Sequence, residues 1–208
     1  MEILTYNIRS WYRDLKAGPR NWKQRADRIR KTIADIAPDV ILLQEALPPM
    51  TARCIPAGYR KASGCSISHH IFVREGFAEV ESHGWHIHWT RARLRLPNAS
   101  RWEVVSVHGH WDPVKTAVLV ADLNGIKLNG AALLCGGDWN VEPEQMRRDL
   151  YPMAVRVPDG TTFRNWESGK TACLDYFAGY AINASVVRLW PTCSFMDSDH
   201  LPVVIDIL

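Results

Sequence analysis

Residues 38–45 read Pro38-Asp39-Val40-Ile41-Leu42-Leu43-Gln44-Glu45. Four apolar residues in a row follow a proline and an aspartate, and the run ends on a carboxamide and a carboxylate. There is no polar alternation, so both faces of the segment need cover, as in a strand at the centre of a layered fold. Directly upstream, Trp22, Ala26, Ile29, Ile33 and Ile36/Ala37 recur at amphipathic spacing. This predicts a helix over 21–37, stopped by Pro38. A helix that feeds a doubly buried strand points to an α/β fold.

Working outward, Ile3–Ile8 is expected to be a strand that opens into a polar loop. Further short strands are expected at Gly58–Ser63, His70–Arg74, Gly84–Trp89 and Glu103–Val107. Asp112-Pro113 has the form of an N-cap followed by proline in the first helical turn, and that helix is expected to reach about Asn124. Ala131–Cys135 is apolar and strand-like, and Glu142-Pro143 opens a short helix to about Leu150. Strands at Cys173–Ala178, Ser185–Leu189 and Pro202–Ile207 complete a prediction of about ten strands and three or four helices. Without repeats, low-complexity tracts or linkers, one domain over 1–208 is expected.

A chain of 208 residues buries roughly 70% of its unfolded surface, so it needs no disulfide or structural metal to fold. The longest uncharged stretches, Ala62–Val73 and Tyr176–Val187, fall short of the roughly 20 residues of a membrane-spanning helix. The start, MEILTYNIRS, lacks the basic-then-apolar form of a secretory leader. The five cysteines are odd in number and include no C-x-x-C, which favours reduced thiols. A cytoplasmic monomer is the expectation.

Net charge is only +3, but nine basic residues against two acidic ones lie between Arg9 and Lys31. A second basic group is Arg91, Arg93, Arg95 and Arg101. Either group can be a solvated face; together they keep an anionic partner in view. The nine tryptophans are high for this length, and aromatics beside a basic surface can stack on bases.

Polar blocks sit at the ends of the expected strands: TYN at Thr5–Asn7, QE at Gln44-Glu45, HGH at His108–His110, GDWN at Gly137–Asn140 and SDH at Ser198–His200. LDYF at Leu174–Phe177 adds a lone carboxylate inside an apolar segment. Each alone is ordinary cap or turn chemistry. Hydrolysis of a phosphodiester, for comparison, requires neutralising an anion, activating a water and stabilising a leaving oxygen. Glu45 and Asn7 offer hard oxygens suited to Mg²⁺ or Mn²⁺.

In W-x-x-R-x-x-x-I-x-x-x-I (Trp22, Arg25, Ile29, Ile33), PDVILLQE, GDWN, LDYF and SDHLPV, in that order, the chain resembles the endonuclease/exonuclease/phosphatase superfamily from Ile3 to Ile207. The resemblance implies a four-layer α/β/β/α sandwich with two mixed sheets face to face. It implies Glu45 as principal metal ligand, supported by Asn7 and Asp199. It puts His200, oriented by Asp175, at the scissile phosphate, Asp138 on the attacking water and Asn140 on a phosphoryl oxygen. His108 falls at the second phosphate-contacting position, and His110 shares its strand face, so either can fill it. The expected function is a divalent-metal-dependent nuclease on DNA or RNA, with Arg9, Arg25, Arg28 and Trp166 as candidate nucleic-acid contacts. A small or lipid phosphoester as substrate, and a non-catalytic nucleic-acid-binding module on the same fold, are the alternatives. No membrane-inserting apolar hairpin is evident.

His108-Gly109-His110-Trp111-Asp112 also spells H-x-H-x-D, the start of a zinc-hydrolase motif, but Pro113 stands where a histidine is needed. At the position where abasic-site endonucleases commonly carry a pocket aromatic, this chain has Ala172, with Phe163, Trp166 and Trp190 as possible substitutes. Poor discrimination in favour of abasic DNA follows as an expectation.

Overall fold

The protein, described by a computed structural model over residues 1–16, 22–64, 66–180, 182, 185–191, 193 and 195–208, folds Val40–Gln44 into a strand with every residue buried. Arg20, Asn21 and Cys65 lie outside the described residues. In chain order the first half comprises β1 (Glu2–Asn7), α1 (Trp11–Lys16), α2 (Trp22–Ile36), β2 (Val40–Gln44), α3 (Met50–Cys54), β3 (Tyr59–Lys61), β4 (His70–Arg74), β5 (Glu79–Trp85), β6 (Trp89–Arg95) and β7 (Arg101–His108). Then follow α4 (Pro113–Asn124), β8 (Ala132–Asp138), α5 (Pro143–Asp149), β9 (Ala154–Arg156), β10 (Phe163–Arg164), β11 (Thr171–Ala172), β12 (Asp175–Gly179), β13 (Val186–Leu189) and β14 (Val203–Asp206).

Two six-stranded sheets have the orders β13-β14-β1-β2-β4-β3 and β5-β6-β7-β8-β12-β9, and β10-β11 form a separate ribbon. Each large sheet is mixed: β1–β2 and β7–β8 run parallel, and the other pairs are antiparallel. The strands divide their side chains between three cores. Ile3, Val40 and Leu42 of the first sheet meet Leu94, Val104, Leu134 and Phe177 of the second. On the far side of the first sheet, Leu4, Ile41 and Leu43 pack on Ala26, Ile29 and Ile33 of α2. Val105, Val107, Leu133 and Cys135 do the same against Leu119 and Leu123 of α4 and Met146 of α5. The four α/β/β/α layers thus explain the unbroken apolar run of β2, in which alternate residues face a sheet and a helix. Full burial of each such side chain contributes on the order of 1.5–3 kcal/mol.

The helix expected over 21–37 forms as Trp22–Ile36. Asp112 caps α4 as expected, accepting from Val114 N at 2.9 Å. The strand expected at Gly84–Trp89 forms only at its two ends: Gly84 and Trp85 finish β5, Trp89 opens β6, and 86–88 turn between them, closed by His86 N donating to Trp89 O at 2.7 Å. Most of β5 is exposed, so no alternation marked it in the sequence. Helices α1 and α3 are additional to those expected.

The second basic group is ion-paired within the fold. Arg91 and Arg93 grip the buried Glu103 at 3.2 and 2.8 Å, and Arg95 and Arg101 pair with Glu79 and Glu81. Among the described residues no helix is long and apolar enough to cross a membrane.

Candidate active site

Strand register assembles the site. In the second sheet His108 lies opposite Asp138, and Asp138 opposite Asp175, so three adjacent strands align these side chains. In the first sheet Asn7 lies opposite Gln44, which places Glu45 one residue beyond the end of β2. The two sheet edges are then joined by Asn7 Nδ2, which donates to Asp138 Oδ2 at 2.9 Å and to Glu45 Oε1 at 3.4 Å.

Arg9, Glu45 and Asn140 each adopt a left-handed backbone conformation, with φ of 49°, 53° and 53°. Non-glycine residues rarely do so, and such strain is commonly held at functional sites. It turns each chain sharply at a strand end and delivers the side chain to the cleft. Gly109 is required by the same crowding: a Cβ there would lie 2.0 Å from Trp139 O. Trp139 itself is buried and stacks on Tyr176 at 5.4 Å, anchoring the GDWN turn.

Asp138 Oδ2 is the centre of the site. Nε2 of His108 and Nε2 of His200 each stand 3.6 Å from it, on top of the Asn7 bond. Asp138 Oδ1 accepts from Asn140 N at 3.0 Å, and Asn140 Nδ2 donates to Gly109 O at 3.1 Å. Behind His200, Nδ1 meets Asp175 Oδ2 at 2.8 Å. Burial acts first on this pair, lowering His200 and raising Asp175; the Asp175 and Asp138 charges then outweigh it at His200 and hold the imidazole above its ordinary value. Burial leaves the Asp175 carboxyl above the usual carboxylate range.

Glu45 would be raised by burial, but Arg13, 3.1 Å from Oε1, together with His108 and the Ser10 N–H on Oε2, keeps it below its usual range. It is therefore a buried, ionised hard-oxygen donor, which fits a small divalent cation. Asn7 turns Oδ1 to Arg9 N and shows its NH₂ to the carboxylates. Asp199 is ion-paired with Arg9. Asp138, Asp175 and His200 also bring one donor atom each to within 4.8 Å of one another. A protonated imidazole between two carboxylates has no lone pair to give, which leaves the Glu45 side of the cleft as the better cation site.

These groups floor a cavity of about 300 Å³ whose walls include Arg9, Trp111, Phe163, Asn165 and Trp166. Arg9 lies 4.3 Å over the Trp166 ring, and Phe163 sits 4.9 Å from His200 and 6.5 Å from Trp111. Of the residues singled out by sequence, Asn7, Glu45, His108, Asp138, Asn140, Asp175, Asp199, His200, Arg9 and Trp166 converge here.

Two do not. Arg25 was expected on an exposed helix face, but it is 1% exposed, and its guanidinium donates to the carbonyls of Ile8, Arg9 and Asp197. Its position four residues before Ile29, on the apolar stripe, was the signal for this. Arg28 is committed to Asp197, away from the cavity. Trp111 and Arg13 line the cavity without having been singled out as site residues. His110 turns to Asp112 N at 2.9 Å, so His108 is the histidine that faces the cleft, and the other two zinc-motif residues are spent on a local turn. Ala172 pairs with Phe163 across the β10–β11 ribbon, and Trp190 packs on the α2 side of the first sheet.

Comparison with known proteins agrees with the fold. The model of the Endonuclease/Exonuclease/phosphatase family matches residues 4–200. No curated protein matches the chain in sequence. Among solved structures, truncated TDP2 from Caenorhabditis elegans superposes with a TM-score of 0.76 at 16% identity, covering 98% of this chain and 95% of that one. A functionally unknown conserved protein from Enterococcus faecalis gives 0.78 at 15% identity, covering 100% and 99%. The Bacteroides thetaiotaomicron mannosyl-6-phosphatase Bt3783 gives 0.72 at 17% identity, also covering 100% and 99%.

Proposed function

The chain belongs to the endonuclease/exonuclease/phosphatase family, whose members hydrolyse phosphoesters, and we propose that it is a divalent-metal-dependent phosphodiesterase acting on nucleic-acid strands. The observation that carries the reading is Asp138 Oδ2 flanked at 3.6 Å by two imidazoles, on the floor of a cavity walled by Trp111, Phe163 and Trp166. A carboxylate so placed can orient a water and take its proton. His200, held charged by Asp175, donates to a phosphoryl oxygen from one side, and His108 contacts the phosphate from the other. Asn140 adds an amide donor. A Mg²⁺ or Mn²⁺ ion held by Glu45, with Asn7 and Asp199 close by, supplies neutralisation of the phosphoryl charge when bound.

Aromatic walls and the Arg9 guanidinium favour a nucleotide over a bare phosphomonoester, because bases stack on rings and arginine planes. A metal-supplemented panel of single- and double-stranded DNA, RNA, an abasic duplex, and phosphodiester and phosphomonoester reporters tests this. Cleavage of the nucleic acids and of the diester reporter is expected. Turnover of the monoester alone would refute it.

A further inference from the structure

We propose that His69 is a positioning residue that holds His108 in the tautomer with its proton on Nε2, so that an N–H donor faces the scissile phosphate. The proposal rests on the reading of His108 as a phosphate contact.

His69 immediately precedes β4 and is 5% exposed. Its Nε2 lies 3.4 Å from His108 Nδ1, with the two rings edge-on at 5.5 Å. Its other nitrogen, Nδ1, lies 3.3 Å from Ser66 Oγ, and the Ser68 hydroxyl stands 3.4 Å from Nε2. Burial and the neighbouring His108 pull His69 down to about 3, so it stays neutral, with one N–H and one lone pair to distribute.

Asp138 fixes which way they run. Asp138 Oδ2 stands 3.6 Å from His108 Nε2, beyond hydrogen-bond reach, and its negative charge favours the proton on that nitrogen. In a neutral His108 the Nδ1 atom must then accept, and the N–H that reaches it is that of His69 Nε2. His69 Nδ1 accepts in turn. Ser66 can donate to it, because Ser66 Oγ takes His69 N at 3.0 Å through a lone pair and keeps its proton free. The chain Ser66–His69–His108 therefore has one donor and one acceptor at every link, all directed toward the cleft. His200 and His108 then stand either side of Asp138, each with Nε2 toward it at 3.6 Å. A partner that orients an active-site imidazole through its far nitrogen typically changes activity by about 10–100-fold when removed.

The test is long-range ¹H–¹⁵N NMR of the full chain at neutral pH, beside steady-state kinetics on a small phosphodiester reporter, for wild type, His69→Gln and His69→Leu. Wild-type His108 is expected as the neutral Nε2–H tautomer. His69→Leu should lose that single tautomer and lower kcat about 10–100-fold with KM little changed. His69→Gln, whose amide N–H can reach Nδ1, should restore both. A wild-type His108 protonated on Nδ1 overturns the proposal, as does a folded His69→Leu with unchanged tautomer and kcat. If His69→Leu does not fold, the wild-type tautomer and the glutamine variant still decide. Undiminished activity in His108→Ala would instead remove the role of His108 at the phosphate, while the tautomer measurement stands apart from it.

Discussion

Asp175 Oδ2 and His200 Nδ1 are joined by a 2.8 Å hydrogen bond between two buried side chains. The bond spans β12 and the turn before β14, so it fixes the imidazole relative to the second sheet while Ser198 Oγ ties the same turn to Asn7 O of the first at 2.7 Å. The leading edges of both sheets are thus set against one another by the residues that face the phosphate.

Replacing Asp175 by Asn should lower the His200 titration and the activity together. Since His200 is raised above its unfolded value of about 6.5, its contribution to stability is complete below that pH and is lost as pH rises through the folded value. The stability gap between wild type and Asp175→Asn should therefore be widest in mildly acidic buffer and narrow steadily through the alkaline range. Denaturant unfolding across pH, with NMR titration of His200, checks both. A gap that widens with pH would show that the charge pairing is misassigned.

Glu45→Gln should keep the fold and lower activity by several orders of magnitude. The amide preserves shape but removes the ionised donor that Arg13, His108 and Ser10 hold in place. A cation bound by so few charged groups should be weak and removable by chelation. Full turnover in excess EDTA would contradict this.

Arg25→Met should destabilise the protein by on the order of 2–4 kcal/mol, because the carbonyls of Ile8, Arg9 and Asp197 lose a charged donor at once. Activity should fall with it, since those carbonyls belong to the loops carrying Arg9 and Asp199. The salt dependence of nucleic-acid binding should not change, because this guanidinium is sealed from solvent. Thermal unfolding and affinity at two ionic strengths separate the two effects.

The strand ends were legible because each apolar run stops at a polar block, and register alone then lines up His108, Asp138 and Asp175. The burial of Arg25 was legible too, from its place on the apolar stripe, but a basic run invites the solvated-face reading. The β5–β6 hairpin was not, since an exposed edge strand has no buried face to impose a period. Nor were the left-handed turns at Arg9, Glu45 and Asn140: no residue type demands them, and only packing of the finished site does. Nor was Trp111, a lone exposed ring in a loop whose path to the cavity no periodicity marks.

Trp111 and Trp166 should determine substrate class. Trp111 is 65% exposed at the cavity mouth, which is costly for a large ring unless something covers it. Trp166 is held from behind, its Nε1 donating to Phe195 O at 2.7 Å, and carries Arg9 on its face. Phe163 closes the wall between them against His200. The wall is thus built from the loop after β7, from Phe163 of β10 and from Trp166 in the turn between β10 and β11, not from the position of Ala172. Stacking of a base or an exposed sugar on such rings is worth about 1–3 kcal/mol per contact, or roughly tenfold to a hundredfold in preference. Trp111→Ala and Trp166→Ala should each lower kcat/KM on a single-stranded oligonucleotide by about that factor. Turnover of a small diester reporter, which has nothing to stack, should change little. Abasic and intact duplexes compared at equal enzyme then ask what the rebuilt wall selects. Because these rings contact a base or a sugar alike, the preference for abasic DNA should remain modest, and a preference above a thousandfold would show that the wall is shaped for the abasic sugar after all.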